Sequence, residues 1–134
     1  MNPKKLFPLF VTDKLAETKT FYIEKAGFKI TFDMDHYLSV RYGDKDGPEL
    51  AFAASESEAL GKMAVFGGEG IIVSIPTKDA DHKAREMESH GVKIMSPPET
   101  RPWGWRSFMT RDPNGVILDF FHVPAENAGA DATG

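Results

Sequence analysis

Pro102-Trp103-Gly104-Trp105-Arg106-Ser107-Phe108-Met109-Thr110-Arg111-Asp112-Pro113-Asn114-Gly115-Val116-Ile117-Leu118-Asp119-Phe120-Phe121-His122-Val123 is the stretch from which the fold is read. Two apolar runs of strand length flank a turn, Asp112 to Gly115. Pro113 fixes φ inside that turn, and Asn114-Gly115 is expected to supply the φ > 0 positions that close a hairpin. The second run carries one carboxylate, Asp119, among hydrophobes. An acid inside a strand is unfavourable when buried without a partner. Asp119 is therefore expected to face a cavity, a metal or a solvated cleft. Trp103 and Trp105, the only tryptophans, stand where a loop enters the first strand of the hairpin.

Upstream of the hairpin the same punctuation recurs. Residues 7–11 form an apolar run whose Pro8 suits an edge strand. Thr12-Asp13 can cap a helix over residues 15–26, with Leu15, Thr18, Tyr22 and Ala26 on one stripe and Gly27 after its end. Strands are expected at 28–32, 37–42 and 49–53, the last two joined by the Gly/Asp-rich loop 43–47. Residues 55–69 are polar and end in Gly67-Gly68-Glu69, which suits a short helical turn and a mobile connector. A strand at 71–75, a helix at 77–90 ended by Gly91, a strand at 92–95 and a proline-rich loop at 96–103 lead back to the hairpin. Residues 124–134, rich in Ala, Gly, Asp and Asn, read as a disordered tail.

The two halves share one order: strand, helix, three strands. Gly27-Phe28-Lys29-Ile30 and Gly91-Val92-Lys93-Ile94 superpose when residue numbers are shifted by 64. The period is too long for a solenoid and describes a duplicated βαβββ module: module one 5–54, connector 55–69, module two 70–123. Strand alternation then assigns faces. Glu49, Ala51 and Ala53 share one face, and Asp119, Ile117 and Phe121 share another. Leu50, Phe52, Leu118 and Phe120 turn towards the helices. Gly70, Ile72 and Ser74 are expected to face the same side as Asp119. The shift of 64 places Leu6, Pro8 and Phe10 beside Glu49, or Phe7 if the register slips by one. Small residues on these faces leave room for a ligand.

With 134 residues, 41% hydrophobic and 27% charged, the chain suits one compact unit, or two small halves sharing a core. It contains no cysteine, which removes disulfides and thiolate chemistry. The longest apolar runs fall far short of the ~20 residues of a membrane span. Met1-Asn2-Pro3-Lys4-Lys5 lacks the features of a secretion signal, so a cytoplasmic location is expected. A net charge of −4 argues against nucleic acid and anionic membranes as partners and is compatible with a cationic ligand. No nucleophile elbow, phosphate loop or dinucleotide fingerprint occurs.

The Pro-Trp-Gly…Phe…Arg-Asp-Pro-Asn-Gly signature at 102–115, with the strand after it, resembles the vicinal-oxygen-chelate superfamily. That group holds glyoxalases, bleomycin-resistance proteins and extradiol dioxygenases, and the likeness, strongest to the bleomycin-resistance branch, covers residues 5–123. It implies an α+β fold: two tandem βαβββ modules forming curled mixed sheets around a concave cleft. Metal-using members place His in the first strand, Glu in the fourth, His in the fifth and Glu in the eighth. Here Glu49 and Asp119 match the acids, while Leu6 (or Phe7) and Gly70 stand at the His positions. The expectation is therefore a metal-independent binding protein without cofactor, working as a homodimer. It sequesters a planar ligand, aromatic or cationic, in a cleft. Trp103 and Trp105 stack on the ligand with help from Phe10, Tyr37 and Phe121, and Glu49 and Asp119 meet positive charge. The alternative is a metal-dependent enzyme of the glyoxalase, dioxygenase or thiol-transferase type, with Glu49 and Asp119 as metal ligands. A protein-interaction module is a third option.

Overall fold

The computed structural model describes residues 5–57, 60–61 and 63–125. The chain divides into two compact units, Met1–Glu69 with Asp112–Gly115 and Gly70–Arg111 with Val116–Gly134. The first contains β1 (Leu9–Thr12), α1 (Leu15–Thr20) continued by a π-helical turn (Phe21–Lys25), β2 (Lys29–Met34), β3 (Tyr37–Arg41) and β4 (Glu49–Ala54). The second contains β5 (Ile72–Pro76), α2 (Ala80–Ser89), β6 (Ile94–Thr100), β7 (Arg106–Arg111) and β8 (Ile117–His122). Each unit has one four-stranded mixed sheet, in the order β1-β4-β3-β2 and β5-β8-β7-β6. This is the expected α+β architecture. In each sheet the edge strand that opens the unit pairs in parallel, β1 with β4 and β5 with β8, and the other pairs are antiparallel. The tail expected over 124–134 lies outside the described residues except for Pro124 and Ala125, and the connector 55–69 is described only in part.

In the first unit the helix covers one face of the sheet. Leu38 pairs with Phe52 and Val40 with Leu50, and all four are buried. Tyr22, fully buried, lies 5.1 Å from Phe52 and 4.9 Å from Phe28, centroid to centroid. Phe10 pairs with Phe52 and stacks on it at 5.6 Å. Phe10 therefore belongs to the helix side, which corrects the expectation that Leu6, Pro8 and Phe10 stand beside Glu49. Because Leu9 is level with Ala51, alternation brings Phe7, Leu9 and Val11 to the Glu49 face. The helix itself departs from a plain α-helix: Ala26 N–H donates to Phe21 O, an i to i−5 bond.

The second unit repeats the scheme. Ile75, Leu118, Phe120 and Phe108 are buried together, with Phe108 stacked on Phe120 at 5.4 Å. Asp79 caps α2 by accepting from His82 N–H at 3.1 Å. His122 Nδ1 accepts from Ala80 N–H at 2.9 Å, so this imidazole is committed to the helix start. Gly91, at φ 85°, ends α2 in a Schellman arrangement, with Val92 N–H on Met87 O at 3.0 Å. Asp81 and Arg106 pair through both guanidinium arms at 2.6 and 2.8 Å, and this hydrogen bonding holds the Asp81 carboxyl below the usual range. Where a loop was expected at 96–103, β6 runs on to Thr100. Pro97 and Pro98 are tolerated because β6 is an edge strand whose register shifts between Ser96 and Glu99.

The turn Asp112–Gly115 also differs from expectation. Asn114 does not adopt positive φ; only Gly115 does, at 84°. Gly115 N–H closes the turn on Asp112 O at 3.0 Å. Asn114 acts instead through its side chain. Its Oδ1 accepts from Thr12 Oγ1, and its Nδ2 donates to Thr18 Oγ1 at 2.9 Å. Asp112, 5% exposed, accepts from Tyr22 OH at 2.8 Å and from Asn114 N–H at 2.8 Å. Burial, then the Asp112 charge, push the Tyr22 hydroxyl well above its ordinary value.

This network yields a graded expectation. Asp112→Ala strands the buried Tyr22 hydroxyl, at about 1–3 kcal/mol, together with the half-buried Asn114 N–H, whereas Tyr22→Phe leaves the Asp112 carboxylate its bond from Asn114 N–H. Urea unfolding at pH 7 should show the larger loss for Asp112→Ala. A folded-state pKa above the unfolded value of about 10 adds stability below that pH and loses it above. The wild type should therefore lose stability more steeply than Tyr22→Phe as pH rises past 10.

Candidate functional site

In each unit the sheet face turned away from the helix carries the polar groups. On the first unit, Tyr37, Ser39 and Arg41 of β3 pair with Ala53, Ala51 and Glu49 of β4. The Glu49 carboxylate is buried, with Lys5 Nζ at 3.7 Å and Thr31 Oγ1 at 3.4 Å. Thr31 also meets Ser39 at 2.8 Å from a bulge in β2, where the register slips between Ile30 and Phe32. Phe32 stands edge-on to Tyr37 at 5.9 Å. The Arg41 Nε is buried without an acceptor among the described residues.

On the second unit, Ser74 pairs with Asp119 and donates to its Oδ2 at 2.9 Å. The other carboxylate oxygen, Oδ1, is buried without a donor among the described residues. Two residues on, Phe121 lies flat under Trp105, with ring centroids 4.4 Å apart and planes 10° from parallel. Trp105 Nε1 is buried and also lacks a partner among the described residues. One face of one sheet thus presents an orphan donor, an orphan acceptor and a flat aromatic stack. Arg101 holds the loop that delivers Trp105. Its Nε donates to Ser107 Oγ at 2.9 Å, its guanidinium also pairs with Glu99, and its backbone N–H binds Trp105 O at 2.7 Å. Trp103, at the loop tip, is 61% exposed.

Sequence reasoning thus named residues that fall into two sets. Glu49 and Tyr37 share a face of the first unit. Trp105, Asp119 and Phe121 share a face of the second, with Trp103 on the loop at its end. Phe10 joins neither set. Lys5, Thr31, Arg41, Ser74 and Arg101 were missed as site residues. Arg41 could have been found by pairing the strands on either side of the 43–47 loop, which sets it opposite Glu49.

A family profile described as the glyoxalase/bleomycin resistance protein/dioxygenase superfamily matches residues 7–120. The chain belongs to this superfamily. Solved structures in the group share its fold. A glyoxalase/bleomycin resistance protein/dioxygenase from Nocardioides is 20% identical, covers 93% of this chain and 86% of its own, and gives a TM-score of 0.71. An integron cassette protein from the mobile metagenome of V. cholerae is 20% identical over 92% and 98%, with a TM-score of 0.70. The bleomycin resistance determinant encoded on transposon Tn5 is 22% identical over 90% and 98%, with a TM-score of 0.67. No curated protein matches the sequence. Among the described residues of this superfamily member, no helix is long and apolar enough to cross a membrane.

The donor set implied by metal-using relatives is two imidazoles and two carboxylates, and the residues here do not fit it. The side chains of β1 and β5 that share faces with Glu49 and Asp119 include Leu9, Val11, Ile72 and Ser74. None is a transition-metal donor of that set. Among the described residues no three His, Cys, Asp or Glu side chains converge.

Burial, then the Glu49 charge, push the Tyr37 hydroxyl above its ordinary value of 10.0. Ionised Tyr37 would place an anion beside an anion, so Glu49→Gln should bring its pKa back down. Carbon-13 NMR titration of the tyrosine ring carbons checks this, and an unchanged Tyr37 midpoint would assign the shift to burial alone.

Proposed function

We propose that this chain is a metal-independent small-molecule binding protein of the bleomycin-resistance type, holding a planar ligand against Trp105. The observation that carries the proposal is the Trp105–Phe121 stack with two unpartnered polar atoms beside it, Trp105 Nε1 and Asp119 Oδ1. A flat heteroaromatic ring stacks on the outer face of Trp105, gives an acceptor to the indole N–H and directs a donor or positive charge to Asp119. Asp119 is the carboxylate for this task because its partner among the described residues is a neutral hydroxyl, whereas Glu49 already faces Lys5. The likeness to a bleomycin resistance determinant supports this choice of ligand class. Exposed Trp103 is a rim contact that closes over the bound ring.

Tryptophan fluorescence tests it, because only Trp103 and Trp105 report. Bleomycin, planar cationic dyes and neutral aromatic metabolites form the panel. A bound ring should quench emission, and Trp105→Ala should weaken it several-fold, in line with about 1 kcal/mol for a stacked pair. Asp119→Asn should weaken a cationic ligand more than a neutral analogue of the same shape, and added salt should narrow that gap. Binding that neither substitution changes would place the ligand elsewhere. Turnover of a catechol or a glutathione adduct that depends on added metal would replace this proposal with the enzyme alternative.

The same proposal includes a homodimer. The outer strand β2 leaves Ile30, Phe32 and Met34 exposed along an unpaired edge, a surface that a second copy can cover. Light scattering at micromolar concentration should give about twice the 14.8 kDa chain mass, and a monomer mass would remove the dimer.

A further inference from the structure

We propose that the helix-free face of the first unit binds a carboxylate between Arg41 and Lys29. Two independent observations lead to it. The first is the strand register. Lys29 of β2 pairs directly with Arg41 of β3, which in turn pairs with Glu49 of β4. Directly opposed residues of a sheet share a face. Like charges set opposite one another destabilise a strand pair. Such a pair persists at low free energy when an anion lies between its members.

The second observation is an unmet hydrogen-bond donor. Arg41 Nε is buried and finds no acceptor among the described residues. Glu49, the neighbouring acid, lies beside Lys5 Nζ at 3.7 Å and Thr31 Oγ1 at 3.4 Å. Lys5 thus offsets the Glu49 charge, so Lys29, Arg41 and Lys5 together outnumber the one carboxylate of the row. A buried donor left without a partner costs about 1–3 kcal/mol, so a ligand that supplies an oxygen there gains what the free protein lacks.

The class of ligand follows from geometry and charge. A guanidinium presents parallel N–H groups that match the two oxygens of a carboxylate, and Nε–H is one of them. An ammonium from Lys29 adds a point charge on the open side. A dianion such as phosphate carries the same oxygens but meets the Glu49 charge next to Arg41, so a monoanion is favoured. Phe32 and Tyr37, farther along the same face, offer apolar surface to the body of an aromatic acid.

The test uses the full-length, nitrogen-15-labelled chain and sodium benzoate, with sodium chloride holding ionic strength constant. The Arg41 Nε–H resonance, assigned by its disappearance in Arg41→Lys, should shift saturably with a Kd on the order of 1 mM. Arg41→Lys keeps the charge and loses the fork. It should weaken benzoate at least tenfold, read from backbone amides of β3. Lys29→Gln should weaken it several-fold, and Arg106→Gln in the second unit should leave it unchanged. Inorganic phosphate at pH 8 should bind more weakly than benzoate, and Glu49→Gln should narrow that difference. No saturable shift, or equal affinity in wild type, Arg41→Lys and Lys29→Gln, overturns the proposal. Tighter phosphate than benzoate overturns the choice of carboxylate. A benzoate shift at Trp105 Nε1–H without one at Arg41 Nε–H puts the acid on the second unit, which overturns this site and leaves the aromatic stack standing.

Discussion

One helix per four-stranded sheet is the constraint from which the chemistry follows. A strand has two faces, and in each unit a single helix covers one of them. The apolar side chains gather under it: Phe10, Leu38, Val40, Leu50 and Phe52 in the first unit, Ile75, Phe108, Leu118 and Phe120 in the second. Alternation then forces the intervening residues of the same strands onto the other face. Glu49 and Arg41 in the first unit, and Asp119 and Phe121 in the second, stand there because their immediate neighbours are needed beneath the helix. A one-residue slip in any strand would exchange core for site.

Such a slip explains where the sequence misled. The hairpin strands and the faces of β4 and β8 were legible because an acid among hydrophobes marks parity without reference to anything else. The face of β1 was not, because it was inferred by copying the second module onto the first from the matched glycines after the helices. Phe10 and Ile75 play the same part, each paired on the helix side with Phe52 and Phe120. Seventeen positions separate Phe10 from Gly27 and sixteen separate Ile75 from Gly91. The extra residue is taken up in the π-helical turn Phe21–Lys25. An inserted residue inside a helix leaves the hydrophobic pattern nearly intact, so composition gave no warning while the strand before it changed parity.

The turn at Asp112–Gly115 carried a second lesson. Asn-Gly suggests backbone conformation, and here only the glycine serves that purpose. Asn114 and Asp112 are used for their side-chain hydrogen bonds, to Thr12, Thr18 and Tyr22. These partners lie some 90 to 100 positions away in the chain, beyond the reach of any local pattern. Lys83 was hidden for a similar reason. A charged residue on the inner stripe of α2 reads as an interruption, yet its ammonium escapes to Glu86 at 3.0 Å while the stem lies buried, 5.9 Å from the Phe120 ring at its tip.

The two acids that looked equivalent in sequence are physically different. Glu49 is buried, and a buried carboxylate needs a cation or hydrogen-bond donors to offset its lost hydration. Lys5 supplies that charge from the segment before β1, and Thr31 adds a hydroxyl from the bulge. Asp119 is partly exposed, so water can share the solvation of its charge, and a single neutral hydroxyl from Ser74 is enough to hold its orientation. A cation arriving at Glu49 would have to displace Lys5 and regain no more than that ion pair had given. A cation arriving at Asp119 meets a carboxylate whose partner among the described residues is the neutral Ser74 hydroxyl. The partner set, rather than the carboxylate itself, decides which acid is available to a positively charged ligand.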